Sequence, residues 1–150
     1  MSIFNAINSS ASALTAQRLR MDVVSSNIAN AQSTRAVMNE DGEFEPYRRK
    51  LVSLEAENSS FSSLLNKATG NGNGNNGVKV SAITEDQTPF ILTYNPSHPD
   101  ANEEGYVEMP NVDPLQEMVD MMSATRSYEA NVTAMNASKT MLMKALEIGK

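Results

Sequence analysis

His98 is the only imidazole in the chain, and Asp100, Glu103 and Glu104 follow it within six residues in Ser97-His-Pro-Asp-Ala-Asn-Glu-Glu104. One nitrogen and several carboxylate oxygens are the donor types of a divalent-metal site. A single His in a proline-punctuated segment is more simply a turn residue, because proline and asparagine favour a turn whatever binds there. Nucleophilic catalysis of the Ser-His-acid kind would have to run through the same side chain, and no Gly-x-Ser-x-Gly elbow accompanies it. A second stretch, Gly72-Asn-Gly-Asn-Asn-Gly77, has the letters of a dinucleotide-phosphate loop. Such a loop must lead from a buried strand into a helix whose N-terminus receives the phosphates. Here the strand-like Val78-Lys-Val80 follows instead, and the tract lacks the acids of a calcium loop. Neither stretch supports a catalytic, cofactor or metal site, so no enzyme activity and no cofactor are expected. Asn8, Asn58, Asn131 and Asn136 begin glycosylation-like triplets, but three of the four fall in predicted helices and read as fortuitous.

The elements that would have to position any site are of a different kind. The chain has 150 residues, enough for one domain or for a small domain with helical extensions. Aromatic residues make up 5 % and Trp is absent, so a large aromatic-walled pocket is hard to build. A formal charge of −6 argues against nucleic acid as partner, since phosphate neutralisation needs clustered Lys and Arg. The one tight basic run, Arg48-Arg-Lys50, sits among Glu43, Glu45, Glu55 and Glu57. No apolar run approaches membrane-spanning length, and Met1-Ser-Ile-Phe-Asn-Ala-Ile7 lacks the basic and apolar regions of a cleaved signal. Direct membrane insertion is therefore not expected.

Ile7, Leu14, Met21 and Ile28 recur every seven residues and predict a helical seam over about residues 3–33, with Ser2 as a possible N-cap. A second helix is announced by Asp113 as N-cap, Pro114 at the first helical position and Gln116 three residues after the cap. Along it run two seven-residue lines: Met118, Thr125, Val132, Lys139 and Leu146, and Met121, Tyr128, Met135 and Leu142. Together they form the a/d pattern of a coiled-coil seam, interrupted at Thr125 and Lys139. Acids near its start and lysines near its end follow the helix dipole, and Gly149 reads as its C-cap. Between the helices, Tyr47–Glu57, Val78–Thr84, Phe90–Tyr94 and Gly105–Met109 read as short strands bounded by Gly and Pro. Asn58–Gly77 reads as a polar connector.

The predicted fold is thus mainly α with a small β insert. Residues 1–36 and 113–150 are the long terminal helices, paired as a coiled-coil hairpin, and residues 37–112 are a β-rich insert with a flexible Gly/Asn loop near 58–77.

The seam alone is compatible with an intramolecular hairpin, but composition adds a second constraint. From Met1 to Thr34 the only charged side chains are Arg18, Arg20 and Asp22. Ser, Asn and Thr fill the rest of the polar surface, and they are poor helix formers because their side chains compete for the backbone. An isolated helix of this kind is marginal in water. Small residues permit close backbone approach, amides can bond to a neighbour where a buried Lys or Glu would be costly, and Met adapts to unequal surroundings. Six of the ten Met residues lie between Met118 and Met143. The terminal helices are therefore expected to contact partners on several sides and to order fully on assembly. Asn27 and Asn30, three apart, present amides that could bond across to another helix. A cytoplasmic coiled-coil adaptor would share the heptads but should carry a charged solvent face, and a metal enzyme would have to centre on His98.

Ala13-Leu-Thr-Ala-Gln-Arg-Leu-Arg-Met-Asp-Val-Val-Ser-Ser-Asn-Ile-Ala-Asn-Ala31, with Ser33-Thr-Arg35, resembles the N-terminal signature of bacterial flagellar axial proteins of the rod and hook class. Asn111-Val-Asp-Pro-Leu-Gln-Glu-Met118, Ala124-Thr-Arg-Ser-Tyr-Glu-Ala-Asn131 and Ala145-Leu-Glu-Ile-Gly-Lys150 resemble its C-terminal partner. Pro46-Tyr-Arg-Arg-Lys50, Tyr94-Asn-Pro-Ser-His-Pro-Asp-Ala101, Gly105-Tyr-Val107 and Pro110-Asn-Val112 are similar to proximal-rod members of that class. The resemblance implies a structural subunit of the rod, the drive shaft that crosses the periplasm and carries motor torque. It implies export through the flagellar type III apparatus without a cleaved signal. Implied partners are other proximal and distal rod proteins, the export-gate adaptor at the rod base, and copies of the chain itself. The expected subunit-packing residues are Ile7, Leu14, Met21, Ile28, Met118, Met121, Tyr128, Val132, Met135, Leu142 and Leu146. Asn27, Asn30, Arg126, Glu129 and Asn131 are the expected polar contacts that fix register, with a local surface pair as the alternative for Arg126 and Glu129.

Overall fold

A computed structural model of the chain describes residues 3–39, 42–57 and 77–148. The expected caps Ser2 and Gly149, and all but Gly77 of the expected connector 58–77, lie outside the described residues. Helix α1 covers Ile3–Ala29 and helix α2 covers Pro114–Ile148. Between them lie β1 (Val37–Met38), β2 (Phe44–Glu45), β3 (Lys50–Ala56), β4 (Val78–Glu85), β5 (Ile91–Tyr94) and β6 (Tyr106–Met109). They pair as three two-stranded sheets, β1 with β2, β3 with β4 and β5 with β6. The fold is mainly helical, with the terminal helices packed together and small strand pairs between them.

Local chemistry accounts for the boundaries. The Asp113 carboxylate accepts the N–H of Leu115 at 2.9 Å, the Asp113 carbonyl accepts that of Glu117 at 3.0 Å, and Pro114 needs no donor, so α2 starts where the cap and the proline dictate. The strand expected from Tyr47 begins only at Lys50. The backbone before it is engaged elsewhere: Tyr47 N–H reaches Ser33 O at 3.0 Å, and Arg49 N–H reaches the Asn111 side chain at 2.9 Å. β6 starts one residue later than expected because Gly105 has φ +83, a left-handed turn conformation that ends strand geometry. The β1–β2 hairpin was not foreseen; two residues per strand leave too little alternation to read.

The chain divides into two compact units. The first comprises Met1–Met21, Ser53–Ala82 and Ser123–Lys150. In it Thr125 Oγ1 on α2 lies 3.5 Å from Met21 Sδ on α1, and Ala16 and Ala124 are the buried apolar residues. Ser12 fastens the sheet to α1 by accepting Val78 N–H at 3.0 Å while donating to Ser9 O at 2.8 Å. Gly77 stands where a Cβ would fall 2.4 Å from the Glu57 carboxylate. The second unit comprises Asp22–Val52 and Ile83–Met122, and its apolar core is Val23, Val24, Tyr47, Val107 and Val112.

Candidate functional site

In the second unit a polar cluster is built around Asn27, which is 1 % exposed. Its side-chain amide uses every donor and acceptor position it has. Nδ2 donates to Lys50 O at 2.9 Å and to Glu117 Oε2 at 3.0 Å, while Oδ1 accepts from Lys50 N–H at 3.0 Å and from Tyr47 OH at 2.9 Å. The amide thus pairs with the backbone of Lys50 as a neighbouring strand would. Glu117, also 1 % exposed, would be a costly buried charge if left alone. Its second oxygen, Oε1, takes Arg49 Nε at 2.6 Å. Arg49 also has Asp120 at 3.7 Å and Asp86 at 3.9 Å, so one guanidinium sits among three carboxylates. Asn111 closes the cluster by accepting Arg49 N–H and donating to Thr88 Oγ1 at 2.8 Å.

Asp86 is held below its ordinary carboxyl value first by the N–H of Thr88 at 3.0 Å, with the Thr88 side chain and Arg49 adding to the effect. Asp100 is likewise lowered, first by Arg35 and then by Thr34, whose hydroxyl donates at 2.8 Å. The same ion pair raises Arg35. Asp100, which the sequence offers as a metal oxygen, is therefore committed to Arg35 and Thr34, and His98 Nδ1 accepts the Asp100 N–H at 3.1 Å. Among the described residues no group of three or more His, Cys, Asp or Glu is arranged to hold a metal ion, and no helix is long and apolar enough to cross a membrane.

The expected packing residues separate into two groups. Ile7, Leu14, Met21, Ile28, Met121, Tyr128, Val132, Met135 and Leu142 are half-buried. Met118 and Leu146 are exposed, at 48 % and 73 %. The most buried line of α2 lies one residue earlier and carries Glu117, Ala124, the half-buried Asn131 and Ser138. The deepest burial on α2 thus falls to Glu117 and the small Ala124 and Ser138, and on α1 to Ala16, Val23, Val24 and Asn27.

Of the expected polar contacts, Asn27 bonds across to α2 as described. Asn30 donates to Ser26 O at 2.9 Å, and Asn131 to Ser127 O at 2.8 Å. Arg126 and Glu129 form an exposed pair at 2.9 Å on one helix face, the geometry of a local surface bridge. Back-bonding to the helix recurs at Ser12, Thr15, Thr133, Ser138 and Thr140. The helix surfaces therefore carry many polar side chains whose hydrogen bonds are already made.

Sequence reasoning missed Tyr47, Arg49, Asn111 and Glu117 as a group. A signal was present in the only tight basic run, set in an acidic insert, yet nothing in spacing could tie it to Asn27 or to the start of α2.

Large apolar residues also remain outside. Among the described residues nineteen large hydrophobics are exposed, while the buried hydrophobic residues include no Leu, Ile, Phe or Met. On α2, Leu115, Met118, Val119 and Met122 are 48–69 % exposed and occupy one face at helical spacing.

Comparison with known proteins gives these faces a context. The family model described as flagella basal body rod protein matches residues 7–36, and the one described as flagellar basal body rod FlgEFG protein C-terminal matches residues 103–148. The flagellar basal-body rod protein FlgC of Bacillus subtilis (strain 168) is 67 % identical over 151 residues, covering 100 % of both chains. Its namesake in Borreliella burgdorferi is 44 % identical over 155 residues, covering 99 % of this chain and 98 % of the relative. That of Escherichia coli O6:H1 is 44 % identical over 150 residues and 100 % of both.

Proposed function

The chain belongs to the FlgC family of flagellar basal-body rod proteins, and from that membership we propose how its two helices build the rod. It is a structural subunit of the bacterial flagellar basal-body rod, and it serves motility through that assembly. In our reading, residues 1–36 and 113–150 form a coiled-coil hairpin that packs against neighbouring subunits, while residues 37–112 form the insert that braces it. The observation that carries this reading is the pairing of exposed apolar side chains with pre-satisfied polar ones on the same helices. Burying Leu115, Met118, Val119 and Met122 against a neighbour is favourable at about 25 cal/mol per Å². Burying hydroxyls and amides already bonded to their own helix avoids the usual penalty for stranded polar groups.

Asn27 acts inside the subunit in this scheme, setting where α1, the insert and α2 meet. Arg126 and Glu129 are exposed and available to a neighbour. The assembled partners are other proximal and distal rod proteins, the export-gate adaptor at the rod base and further copies of the chain. Delivery is through the flagellar type III apparatus without a cleaved signal, and the rod crosses the periplasm and transmits torque without catalysing a reaction. Many modest contacts repeated by an interface that does not close generate such a shaft.

Deletion of the gene, followed by imaging of isolated basal bodies, tests the reading. Basal bodies are expected to stop short of a complete rod and to be restored by the parent chain. Complete rods in the deletion strain would overturn it.

A further inference from the structure

The second unit holds fourteen Asp and Glu but only four Lys and Arg, namely Arg35, Arg48, Arg49 and Lys50. Arg35 is committed to Asp100, and Arg49 to Glu117, Asp86 and Asp120. Arg48 and Lys50 differ: among the described residues neither has a carboxylate in ion-pair distance, in spite of the excess of acids around them. Aromatic rings hold them instead. Arg48 Cζ lies 4.3 Å from the centre of the Phe90 ring, and Lys50 Nζ lies 5.7 Å from that of Tyr47. A ring fixes the position of a cation without cancelling its charge.

Both side chains line one groove of about 560 Å³, beside the Ser26 hydroxyl. Its wall is braced from behind. Asn27 holds the N–H and the carbonyl of Lys50, Asn111 holds the Arg49 N–H, and Tyr47 OH donates to Asn27 Oδ1. Because the Tyr47 hydrogen is already used, the Ser26 hydroxyl, 3.4 Å from Tyr47 OH, can turn its own hydrogen towards a guest. Of the other charged residues lining the groove, Arg35 is paired with Asp100 and Glu45 accepts Asn39 Nδ2 at 2.7 Å. The free charges are therefore Arg48, Lys50 and the exposed Glu85, which lies beyond ion-pair distance of both cations.

We infer that this groove is a binding site for a multiply charged oxyanion, a phosphate or a cluster of carboxylates, with Arg48 and Lys50 as its charged partners and Ser26 as a further donor. Arg48 brings paired N–H groups and Lys50 a point charge, the two ways in which proteins meet such oxygens. Glu85 and the acidic surroundings oppose every anion, so only one that reaches both cations at contact range gains enough to stay.

Isothermal titration calorimetry of the full purified chain tests this, with inorganic phosphate and citrate as probes at a fixed ionic strength of about 0.15 M. Saturable one-to-one binding is expected for at least one probe; phosphate alone would mark a tetrahedral site and citrate alone a carboxylate site. Arg48→Gln with Lys50→Gln should weaken that binding at least about tenfold, and Glu85→Gln should tighten it about threefold. Arg126→Gln, which removes an exposed cation of the first unit, should bind as the parent does. Neither the Arg48 nor the Lys50 side chain belongs to the buried cluster, so far-UV circular dichroism should show parental helix content in each variant. No saturable binding of either probe, parental affinity in the double variant, weaker binding in Glu85→Gln, or equal weakening in Arg126→Gln would overturn the inference. Binding here needs no assembled rod, so its failure is distinguishable from failure of the rod assignment.

Discussion

Asn27 on α1 donates to Glu117 on α2 at 3.0 Å, and both side chains are 1 % exposed. Ninety residues of chain separate them, so this bond exists only when both helix ends and the insert are in place. Because Arg49 takes the other Glu117 oxygen, removing Arg49 strands a buried carboxylate, while removing Glu117 leaves Arg49 beside Asp86 and Asp120 but takes the acceptor from Asn27 Nδ2 and Arg49 Nε. Arg49→Met or Glu117→Leu alone should cost about 3–5 kcal/mol of unfolding free energy, and the double variant markedly less than their sum. Urea denaturation of the four proteins measures the coupling; additive losses would show that the pair is not an energetic unit.

Much of this arrangement was legible in the sequence, but not the cluster itself. The Asp113-Pro114 start of α2 is written locally, since a cap and a proline act within one turn. The line Met121, Tyr128, Met135 and Leu142 follows from helical period. The burial of Ala124 and Ser138 does not, because a search for large apolar residues overlooks small ones. The cluster joins Ser-Ser-Asn27, Pro-Tyr-Arg-Arg-Lys50 and the Asn111–Glu117 stretch, three of the segments that carry the flagellar resemblance. Periodicity has no means of linking segments so far apart, whereas the resemblance marked each of them without giving the reason.

Ala124 is 0 % exposed. Ala124→Leu should overpack the helix contact and cost about 1–3 kcal/mol, whereas Met122→Leu on the exposed face should stay within ~0.5 kcal/mol. Thermal denaturation of both variants makes the comparison, and equal losses would place the contact elsewhere on α2.

Gly105 combines φ +83 with a Cβ position 3.0 Å from the Tyr94 ring and 3.2 Å from Pro96. Gly105→Ala should therefore destabilise the β5–β6 hairpin by about 1–2 kcal/mol through backbone strain alone. Faster amide exchange at Thr93 and Val107 in the variant is the expected result. Unchanged exchange would mean the turn relaxes without cost.

Acid should weaken the second unit. Asp100 and Asp86 are held below their ordinary value of 3.8, so their stabilisation is fully present above that pH and is lost as pH falls through the lowered folded values. Stability should be level with respect to these groups at neutral pH and decline below about 4. Asp100→Asn should flatten part of that decline in a pH series of denaturation midpoints; an unaltered acid profile would assign the loss to other groups.

The central claim is that neighbouring subunits cover the exposed face of α2 in the rod. The chain contains no cysteine, so Met122→Cys introduces a single thiol at a position 61 % exposed in the subunit. Maleimide labelling of that thiol in the free chain and in isolated basal bodies is the most direct measurement. The account predicts rapid labelling of the free chain and strong protection in basal bodies, while equal labelling in both would contradict it.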